Sequence, residues 1–398
     1  MLTYADALAV LLKEARPLDT ERVGLSLAMG RVLAEAVSSP LSLPSFDNAA
    51  MDGYAIRQGA GDIPAGTRYT VAGMQAAGDG TIAYPGGEAC EIATGARVPD
   101  GFDTVVPVER CEREGERVRI TQDEKRGQNI RYAGGDIARD AAALPAGRRI
   151  DATAIMLLAA LGIDSLSVAR RPRIAIINTG SELHASGPLP EGGIHDSNGP
   201  FLEAMLASWG VEQLTRRRVP DTGDAFHQAV EEARATGTDL IVTTGAVSAG
   251  RFDFVPSALA AMGARELFHK VAIRPGKPIL AAHFDGGPLV LGLPGNPIAV
   301  AVGHRFFVAP VLRAMAALPP ERPSRVRLVE GSAVRSGLYH FALGRLEADN
   351  EGRQVARPQR NQAAYRIVPF SLANTWLTAE SEFGEVVDAW PIDPVAAP

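Results

Sequence analysis

The stretch RIAIINTGSE, residues 173–182, decides the fold class of this chain. Residues 174–177 are apolar without alternation, and Asn178-Thr179-Gly180 then turns the chain. An unbroken apolar run that ends in such a turn is typical of a strand buried on both faces of a sheet. The segment DSNGPFLEAMLASWG at 196–210 adds an Asp/Ser cap, a helical pattern and a terminal glycine, and a strand near 211–219 follows. The sequence therefore predicts a β-α-β unit.

Strands and helices continue to alternate beyond this unit. The later segments are a helix at 224–237, a buried strand at 239–243, a helix at 254–263, a further strand or two, and at 289–318 a strand, a Gly/Pro turn and a long helix that Pro310 interrupts. Such alternation predicts a doubly wound, mainly parallel α/β domain over residues 173–318.

The regions on either side of this α/β domain have different sequence patterns. Residues 1–44 read as two short helices with a linker, and a helical pattern returns within 137–172, so this helical region is predicted to be split. Residues 45–136 hold short β-type runs between Gly, Pro and Asp clusters, which predicts an inserted β-rich domain. Residues 319–398 predict a C-terminal β domain, with strands in 325–334, 340–348, 365–370 and 375–379. The fold class is a multidomain α/β protein.

Composition narrows the functional classes. The 398 residues carry 46 acidic and 40 basic side chains, a net charge of −6, which disfavours nucleic acid as a partner. The longest uncharged apolar segment, Ala152–Ile163, is about half a membrane span, and the first residues lack the pattern of an export signal, so no membrane is expected. Only Cys90 and Cys111 occur, without zinc-ligand spacing, which predicts a reducing cytoplasm and no disulfide.

Three loops are candidates for a ligand site. In open α/β sheets, ligands bind beyond the carboxyl ends of the strands, where loops present free backbone N–H groups. The loops are 178–182 (Asn-Thr-Gly-Ser-Glu), 243–255 (TTGAVSAGRFDFV) and 292–297 (GLPGNP). The alternative is that their glycines only close tight turns. Neither a phosphate-binding P-loop nor a dinucleotide fingerprint is present, which disfavours common NTPases and dinucleotide-dependent oxidoreductases.

Charged residues complete the candidate site. Lys270, Arg274 and Lys277 surround a rigid Pro275-Gly276 turn, a grouping that suits phosphate or another oxyanion, the alternative being a solvated strand edge. The loop carboxylates Glu182, Asp196 and Asp253 favour a divalent cation such as Mg²⁺ shared with substrate phosphate. Each of these acids taken alone is better explained as a helix cap or a surface charge. The residues thus predict a transferase with a phosphate and divalent-metal cleft, but they do not name its substrate.

The assembled motifs resemble the molybdopterin molybdenumtransferase family, which includes the E domain of gephyrin. The resemblance rests on SFDNAAMDGYAIR (45–57), IATGARVPDGFDTVVPVE (92–109), NTGSEL (178–183), DSNGPFL (196–202), TTGAVSAGRFDF (243–254), IRPGKP (273–278) and GLPGNP (292–297). It implies a four-part subunit, a homodimer, and insertion of molybdenum from molybdate into adenylylated molybdopterin with Mg²⁺ and release of AMP. It also implies molybdopterin adenylyltransferase and molybdoenzyme apoproteins as partners.

The resemblance also implies roles for individual residues. The catalytic set is Asp52, Thr94, Asp136, Glu182 and Asp253, the first three on a β-rich side of the cleft that a dimer partner supplies, and Asp253 and Glu182 as the metal-linked pair. The substrate-binding set is Thr179, Gly180, Asp196, Ser197, Asn198, Gly245, Ser248, Lys270, Arg274, Lys277, Pro294 and Pro297.

Several positions depart from the family pattern. Ala246 stands where the family has a glycine, Gly135 where it has an acidic residue, and Ser181 where it has an aspartate. Leu343 replaces the arginine of an Arg-Gly pair, and Ala364 replaces a serine, both at the expected molybdate pocket. On a strand, Arg345 points to the same face as Leu343, so Arg345 is added to the substrate-binding set as a substitute cation. These losses leave open an alternative function, a divergent paralogue that binds a pterin phosphate or carries cofactor without inserting metal.

Overall fold

The computed structural model describes residues 1–247, 254–329, 337–380 and 383–395. Internal contacts divide the chain into two units. The α/β unit comprises Met1–Ala34, Gly147–Asp151 and Leu166–Pro398, and the β-rich unit comprises Glu35–Ala146 and Ala152–Ser165. The predicted insertion of a β-rich piece is thus confirmed, whereas the finer four-part division at residues 44, 136, 172 and 318 stays a prediction.

A six-stranded central sheet organises the α/β unit. Its strands, in spatial order, are Gln213–Val219, Arg173–Thr179, Leu240–Thr244, Leu289–Leu293, Leu280–His283 and Arg265–His269. The first four are parallel, Leu280–His283 runs antiparallel to them, and Arg265–His269 pairs antiparallel with Leu280–His283 and so runs in the direction of the first four. The predicted mainly parallel sheet is therefore confirmed.

The strand Arg173–Thr179 shows why its sequence lacks alternation. Ile174 and Ile176 enter one apolar cluster, while Ala175 and Ile177 enter a second cluster on the opposite face. Successive side chains of a strand point to opposite faces, so a strand covered on both sides needs apolar residues throughout. The helices that cover the two faces are Tyr4–Glu14, Asn198–Ala207 and the long helix Pro297–Met315 on the first, and Gly223–Ala235 and Val255–Ala261 on the second.

The long helix Pro297–Met315 does not break at Pro310, contrary to the prediction. It continues through a π-helical segment, His304–Val308, into a further α-helical stretch. Proline has no N–H for the carbonyl one turn earlier, and the wider π turn accommodates this loss. The Phe306 carbonyl accepts a hydrogen bond from the Tyr4 hydroxyl instead, at 3.4 Å. In the described chain this is the one helix long and apolar enough to cross a membrane, and most of it is buried inside the protein, as in a core helix.

The N-terminal region holds one helix and not the two predicted. Thr3 caps the helix Tyr4–Glu14, and its Oγ1 accepts from the Asp6 N–H at 3.1 Å. The second predicted helix is replaced by the strand Thr20–Gly24, paired with Ser165–Ala169, and a short 3₁₀ turn, Leu25–Leu27. Pairing with a strand distant in sequence overrode the weak local helical pattern.

The β-rich unit contains its own six-stranded sheet. In spatial order its strands are Thr104–Pro107, Gly53–Ile56, Ala89–Ile92, Arg68–Gln75, Arg117–Ile120 and Cys111–Glu114. Two short pairs join Asn48–Ala49 to Ile130–Arg131 and Val37–Ser38 to Ala142–Leu144. The predicted helix in 150–163 is present as Ala152–Ala160.

A third six-stranded sheet lies at the C-terminal end of the α/β unit. Its strands, in spatial order, are Ile273–Arg274, Tyr339–Ala348, Gln354–Pro358, Ser324–Leu328, Val386–Pro391 and Thr375–Ala379. The last also pairs with Tyr339–Ala348, which closes five of the strands into a small barrel. The predicted strand at 365–370 is wrong, because Ile367–Ser371 is a short helix. Pro369 cannot donate to a sheet ladder but is tolerated in the first turn of a helix.

Candidate functional site

Four loops meet at the carboxyl ends of the parallel strands and enclose a cavity of about 560 Å³, the first cavity. They follow Thr179, Thr244 and Leu293, as predicted, and also Val219, which the sequence analysis overlooked. From the predicted set, the residues that line this cavity are Thr179, Glu182, Ser197, Asn198, Gly245, Pro294 and Pro297. The three predicted loops therefore meet at one cavity, while the roles of these residues stay predictions.

Hydrogen bonds between neighbouring strand ends fix the first two loops. Thr179 Oγ1 donates to the Thr244 carbonyl at 3.2 Å, and Asn178 Nδ2 donates to Thr244 Oγ1 at 2.7 Å. Gly245 has a φ of 87°, and a Cβ there would lie 2.6 Å from the Thr179 carbonyl oxygen. A residue other than glycine does not fit without moving a loop. The fold thus requires this glycine, whatever the ligand is.

The third loop is held against the helix Asn198–Ala207. Asn198 Nδ2 donates to the Gly295 carbonyl at 2.7 Å, and an added Cβ on Gly295 would come within 3.9 Å of Gly245 Cα. Pro294 and Pro297 flank this contact and stiffen the loop. The floor of the cavity is therefore built from backbone and small polar groups rather than from mobile side chains.

Two carboxylates, Glu182 and Asp221, line the first cavity. Glu182 folds over Gly180, where an added Cβ would lie 2.9 Å from each carboxylate oxygen, so Gly180 provides space rather than a direct cavity surface. Asp221 Oδ2 accepts from the Ser181 N–H at 3.1 Å, and Ser181 Oγ accepts from the Asp221 N–H at 3.3 Å. Asp221 was missed from the sequence, although it follows the predicted strand at 211–219.

Asp196 is a structural residue rather than a predicted ligand contact. Its side chain is almost fully buried, accepts the Gly199 N–H at 2.9 Å and pairs with Arg216 at 3.2 Å. Gly199 leaves room for it, since an added Cβ would lie 2.5 Å from Asp196 Oδ2. Asp196 is absent from the lining of the first cavity, so its substrate-binding assignment is corrected: it caps the helix that carries Asn198.

A second cavity of about 1200 Å³ adjoins the first and shares four lining residues with it, Pro278, Pro294, Asn296 and Tyr365. It lies between the basic turn and the C-terminal barrel. Its basic side chains are Arg274, Lys277, Arg360 and His340, and among the described residues that line it there is no Asp or Glu. Such a surface favours an anionic ligand.

Lys270 does not join this basic group. Its backbone N–H donates to the Ile279 carbonyl at 3.0 Å at the base of the turn, its φ is 73°, and its side chain lines neither cavity. Arg274 and Lys277 lie further out on the same turn and line the second cavity. The assignment of Lys270 to substrate binding is therefore not supported by its position.

Arg345 does not replace the arginine missing at Leu343. Leu343 is buried in an apolar cluster with Phe341 and Trp376, and the cavity touches this strand only at His340, Phe341 and Ala342. At about 3.3 Å per residue, the strand carries Arg345 roughly 10 Å beyond Ala342. Arg345 is exposed and lines neither cavity. Alternation along the strand gives Arg345 the face of Leu343, but its distance along the strand takes it out of the cavity.

The remaining catalytic candidates belong to the β-rich unit. Asp52 Oδ1 accepts the Thr94 N–H at 2.7 Å, so these two residues form one exposed turn. Asp136 is also exposed, and its N–H donates to the Leu43 carbonyl at 2.9 Å. Asp253 and Ser248 lie outside the described residues, and their predicted roles stay predictions.

The donor set of the first cavity is compatible with Mg²⁺. No three His, Cys, Asp or Glu side chains gather as a metal site anywhere in the described chain. Mg²⁺ commonly takes only one or two protein carboxylates and completes its shell with water and substrate phosphate. Glu182 and Asp221 provide that number of carboxylates in the lining of the first cavity.

Comparison with known proteins agrees with this architecture. The family model described as "MoeA N-terminal region (domain I and II)" matches residues 2–162, and the model "Probable molybdopterin binding domain" matches residues 175–314. The solved structure of the molybdopterin biosynthesis moeA protein from Pyrococcus horikoshii superposes with a TM-score of 0.81 at 27% identity, covering 98% of this chain and 99% of that one.

Curated relatives carry the same similarity at the sequence level. A molybdopterin molybdenumtransferase from Synechococcus elongatus is 37% identical over 96% of this chain and 97% of its own length. Another from Haemophilus influenzae is 31% identical over 97% of this chain and 96% of its own length. Because the similarity runs through both units and over nearly the whole length of each relative, the chain belongs to the molybdopterin molybdenumtransferase family.

Proposed function

We propose that this enzyme of molybdenum cofactor biosynthesis inserts molybdenum from molybdate into adenylylated molybdopterin, with Mg²⁺, and releases AMP. The observation that carries the proposal is the pair of adjoining cavities in the α/β unit. One combines glycine and threonine loops with two carboxylates, and the other is lined by basic side chains. The reaction needs a site for a phosphate-bearing pterin beside a site for an inorganic dianion, and the two cavities provide that arrangement.

The first cavity suits the adenylylated pterin. Its loops end parallel strands and precede helices, so their backbone N–H groups are directed to an anionic ligand such as the pyrophosphate. Thr179, Ser197 and Asn198 add hydroxyl and amide groups for polar contacts. Rigid placement of these groups favours cleavage of the phosphoanhydride, because such a reaction depends chiefly on positioning and charge stabilisation.

Glu182 and Asp221 are the described residues that would hold Mg²⁺, with Asp253 as a further candidate from the sequence. The ion would neutralise charge on the phosphate oxygens. Replacing Asp221 by asparagine removes one anionic ligand without changing its size. We expect Asp221→Asn to raise the Mg²⁺ concentration for half-maximal AMP release by about tenfold or more.

A neighbouring carboxylate provides the matched control for this variant. Asp224 is exposed, lies three residues further along the chain in the helix Gly223–Ala235, and lines neither cavity. Asp224→Asn is expected to leave the Mg²⁺ dependence unchanged. Equal Mg²⁺ dependence in both variants would contradict the assignment of Asp221.

Asp52, Thr94 and Asp136 are proposed to complete the site from a partner subunit of a homodimer. Light scattering tests the oligomeric state. The supply of Asp52 by the partner can be tested by mixing the variants Asp52→Asn and Asp221→Asn at a Mg²⁺ concentration that supports the unchanged protein but is too low for appreciable AMP release by Asp221→Asn. If each site combines residues of two chains, random exchange of subunits restores activity at about a quarter of the sites. If each site is built from one chain, it restores activity at none.

The decisive assay follows AMP and active cofactor separately. Purified protein is incubated with adenylylated molybdopterin, molybdate and Mg²⁺, AMP is quantified, and the cofactor is detected by activation of a molybdenum-free molybdoenzyme. We expect both products, with AMP release dependent on molybdate. Binding of the nucleotide without either product would refute the insertion reaction and favour the alternative, a paralogue that only binds or carries the pterin.

Location and partners are further proposals. The two free cysteines fit a cytoplasmic location, which fractionation would test. A molybdopterin adenylyltransferase, which would supply the substrate, and molybdoenzyme apoproteins, which would receive the product, are the proposed partners. Co-purification under cross-linking tests both.

A further inference from the structure

A small cavity of about 30 Å³, the arginine cavity, lies in the α/β unit and shares no lining residue with the two cavities described above. Its described lining contains no Asp or Glu, and its charged residues are Arg31, Arg149, Arg170 and Arg171. A space of this size holds one or two water molecules. A chloride ion is only slightly larger than a water molecule, whereas molybdate and phosphate esters do not fit.

Two of the four arginines have carboxylate partners outside the cavity. Arg31 pairs with Glu21, and its Nη2 also donates to the Ala169 carbonyl at 2.8 Å. Arg170 donates to the two carboxylate oxygens of Asp239 at 2.6 and 2.8 Å. The charges of these two side chains are therefore offset within the protein.

The other two arginines, Arg149 and Arg171, lie beside consecutive residues of the chain. The guanidinium carbon of Arg149 is 5.4 Å from the centre of the Trp209 ring. A Cβ added to Gly210 would lie 3.6 Å from Arg171 Nε. In the described parts of the chain, no ion pair joins either guanidinium to an Asp or Glu. Two cations thus line one small space without a close counter-charge.

The surroundings of Arg149 disfavour its charge. Burial lowers the pKa of the Arg149 guanidinium, and the nearby Arg313 lowers it further, while Asp393 raises it. A cation that is removed from water without a close anion raises the free energy of the folded state. An anion in the arginine cavity would offset this cost.

The indole of Trp209 provides a hydrogen-bond donor beside these cations. Trp209 lines the arginine cavity and is only 7% exposed, and its buried Nε1 has no acceptor among the described residues. Buried N–H groups in native proteins nearly always have an acceptor. We infer that the arginine cavity binds one chloride ion, held by Trp209 Nε1–H and the guanidinium groups of Arg149 and Arg171. This site is separate from the reaction proposed above.

The ion would join segments that are distant in sequence. The lining consists of residues 30–32, 149, 169–172 and 209–210, together with Leu312 and Ala316 at the end of the long helix. These segments come together only in the folded α/β unit, so the unfolded chain has no such site. Chloride is therefore expected to stabilise the folded state by mass action.

Urea unfolding of the full-length protein tests the inference. Chloride replaces gluconate, an anion too large for the cavity, from about 1 to 300 mM at constant ionic strength. Tryptophan fluorescence follows the α/β unit, which contains all three tryptophans. If one chloride binds only to the folded chain, each tenfold rise in chloride above the dissociation constant multiplies the ratio of folded to unfolded protein by about ten.

Two variants locate the ion in the arginine cavity. Trp209→Phe keeps a ring beside Arg149 but removes the N–H, and Arg171→Gln removes one charge at a residue that is exposed on its outer side. Loss of a charge-assisted contact should weaken chloride binding by about tenfold or more in each. The rise in stability should then begin at a correspondingly higher chloride concentration.

Trp390→Phe is the matched control. Trp390 also has a guanidinium carbon, that of Arg305, 5.4 Å from its ring centre, and it does not line the arginine cavity. Its Nε1 donates to Thr378 Oγ1 at 3.1 Å, so the variant loses an N–H that already has an acceptor. Trp390→Phe should be less stable than the unchanged protein but should keep its chloride dependence.

The possible results are distinct. A ratio of folded to unfolded protein that does not change with chloride overturns the inference and assigns the arginine cavity to water. A chloride dependence that is equal in the unchanged protein, Trp209→Phe and Arg171→Gln also overturns it, because the ion then binds elsewhere. If Trp209→Phe does not fold, Arg171→Gln decides alone. AMP release enters none of these measurements, so the inference and the proposed function can fail independently.

Discussion

Replacing Gly245 by alanine is expected to destabilise the α/β unit by about 2–5 kcal/mol and to close part of the first cavity. Two terms make up this figure. A φ of 87° costs a residue with a Cβ about 1–2 kcal/mol, and steric overlap in a packed region costs about 1–3 kcal/mol more. The overlap is specific, because the new Cβ would lie 2.6 Å from the Thr179 carbonyl oxygen and 2.7 Å from Thr179 Oγ1.

Two other positions separate these terms. Gly286 has a φ of 66° and open space around an added Cβ, so Gly286→Ala should cost only the conformational term, about 1–2 kcal/mol. Ala246 already carries a Cβ at a φ of 50°. Ala246→Gly removes that strain but gives the unfolded chain more freedom and loses some packing, so its net effect should stay within about 1 kcal/mol.

Urea unfolding followed by tryptophan fluorescence measures these changes. All three tryptophans, Trp209, Trp376 and Trp390, belong to the α/β unit, so the signal reports on that unit. Binding of adenylylated molybdopterin is measured on the same proteins below the unfolding transition. Equal stability losses in Gly245→Ala and Gly286→Ala would refute the steric part of the reasoning, and unchanged nucleotide affinity in Gly245→Ala would refute the assignment of the cavity.

Three further predictions concern buried groups. Burial lowers the pKa of His304 to about 3, so between about pH 6.5 and 3 only the unfolded chain binds this proton, and the free energy of unfolding falls as the pH is lowered. At pH 5 this loss is about 2 kcal/mol, and His304→Leu should remove it. Urea titrations of both proteins at pH 5 and 7.5 measure the loss, and an equal pH dependence in the two proteins would contradict the reasoning. Burial raises the pKa of Cys90 and of Cys111 to about 12, so neither thiol should react with Ellman's reagent at pH 8 until urea unfolds the chain; rapid labelling of the folded protein would contradict this. Asp196→Ala should lower the free energy of unfolding, measured in urea, by about 1–3 kcal/mol, and Asp196→Asn should lower it less, because asparagine still accepts the Gly199 N–H. Equal losses in the two variants would assign the effect to the Arg216 pair alone.

Local sequence patterns predicted the central sheet because its physical causes are local. The apolar run 174–177 and the loops that follow each strand are visible in a few consecutive residues, and these placed Thr179, Gly245 and Pro294 at one cavity. Asp221 is absent from the predicted set, although it follows the strand Gln213–Val219 of the same sheet and stands directly before Thr222-Gly223, a pair like those of the predicted loops. The residues that follow each predicted strand, taken together, include it.

Other features depend on contacts that no local pattern encodes. The barrel brings Arg360 rather than Arg345 to the second cavity, because the Gln359–Ala364 loop is clamped to Leu343 across the structure. The long helix continues past Pro310 because a π turn and the distant Tyr4 hydroxyl accommodate the missing N–H. Asp196 looks like a ligand in sequence, and only its burial beside Arg216 shows a capping role.

The position of the helix Tyr4–Glu14 imposes an order on biosynthesis. The ring of Tyr4 packs against Phe306, Phe307, Tyr339 and Phe341, and its hydroxyl reaches a carbonyl 302 residues away in the chain. On the ribosome this apolar helix is made long before the residues that bury it, so its face must stay exposed or shielded by a chaperone in the meantime. The β-rich unit, whose residues all lie between 35 and 165, has every partner it needs much earlier. Nascent chains therefore pass through a stage in which all residues of the β-rich unit have been synthesised and the α/β unit still lacks most of its residues.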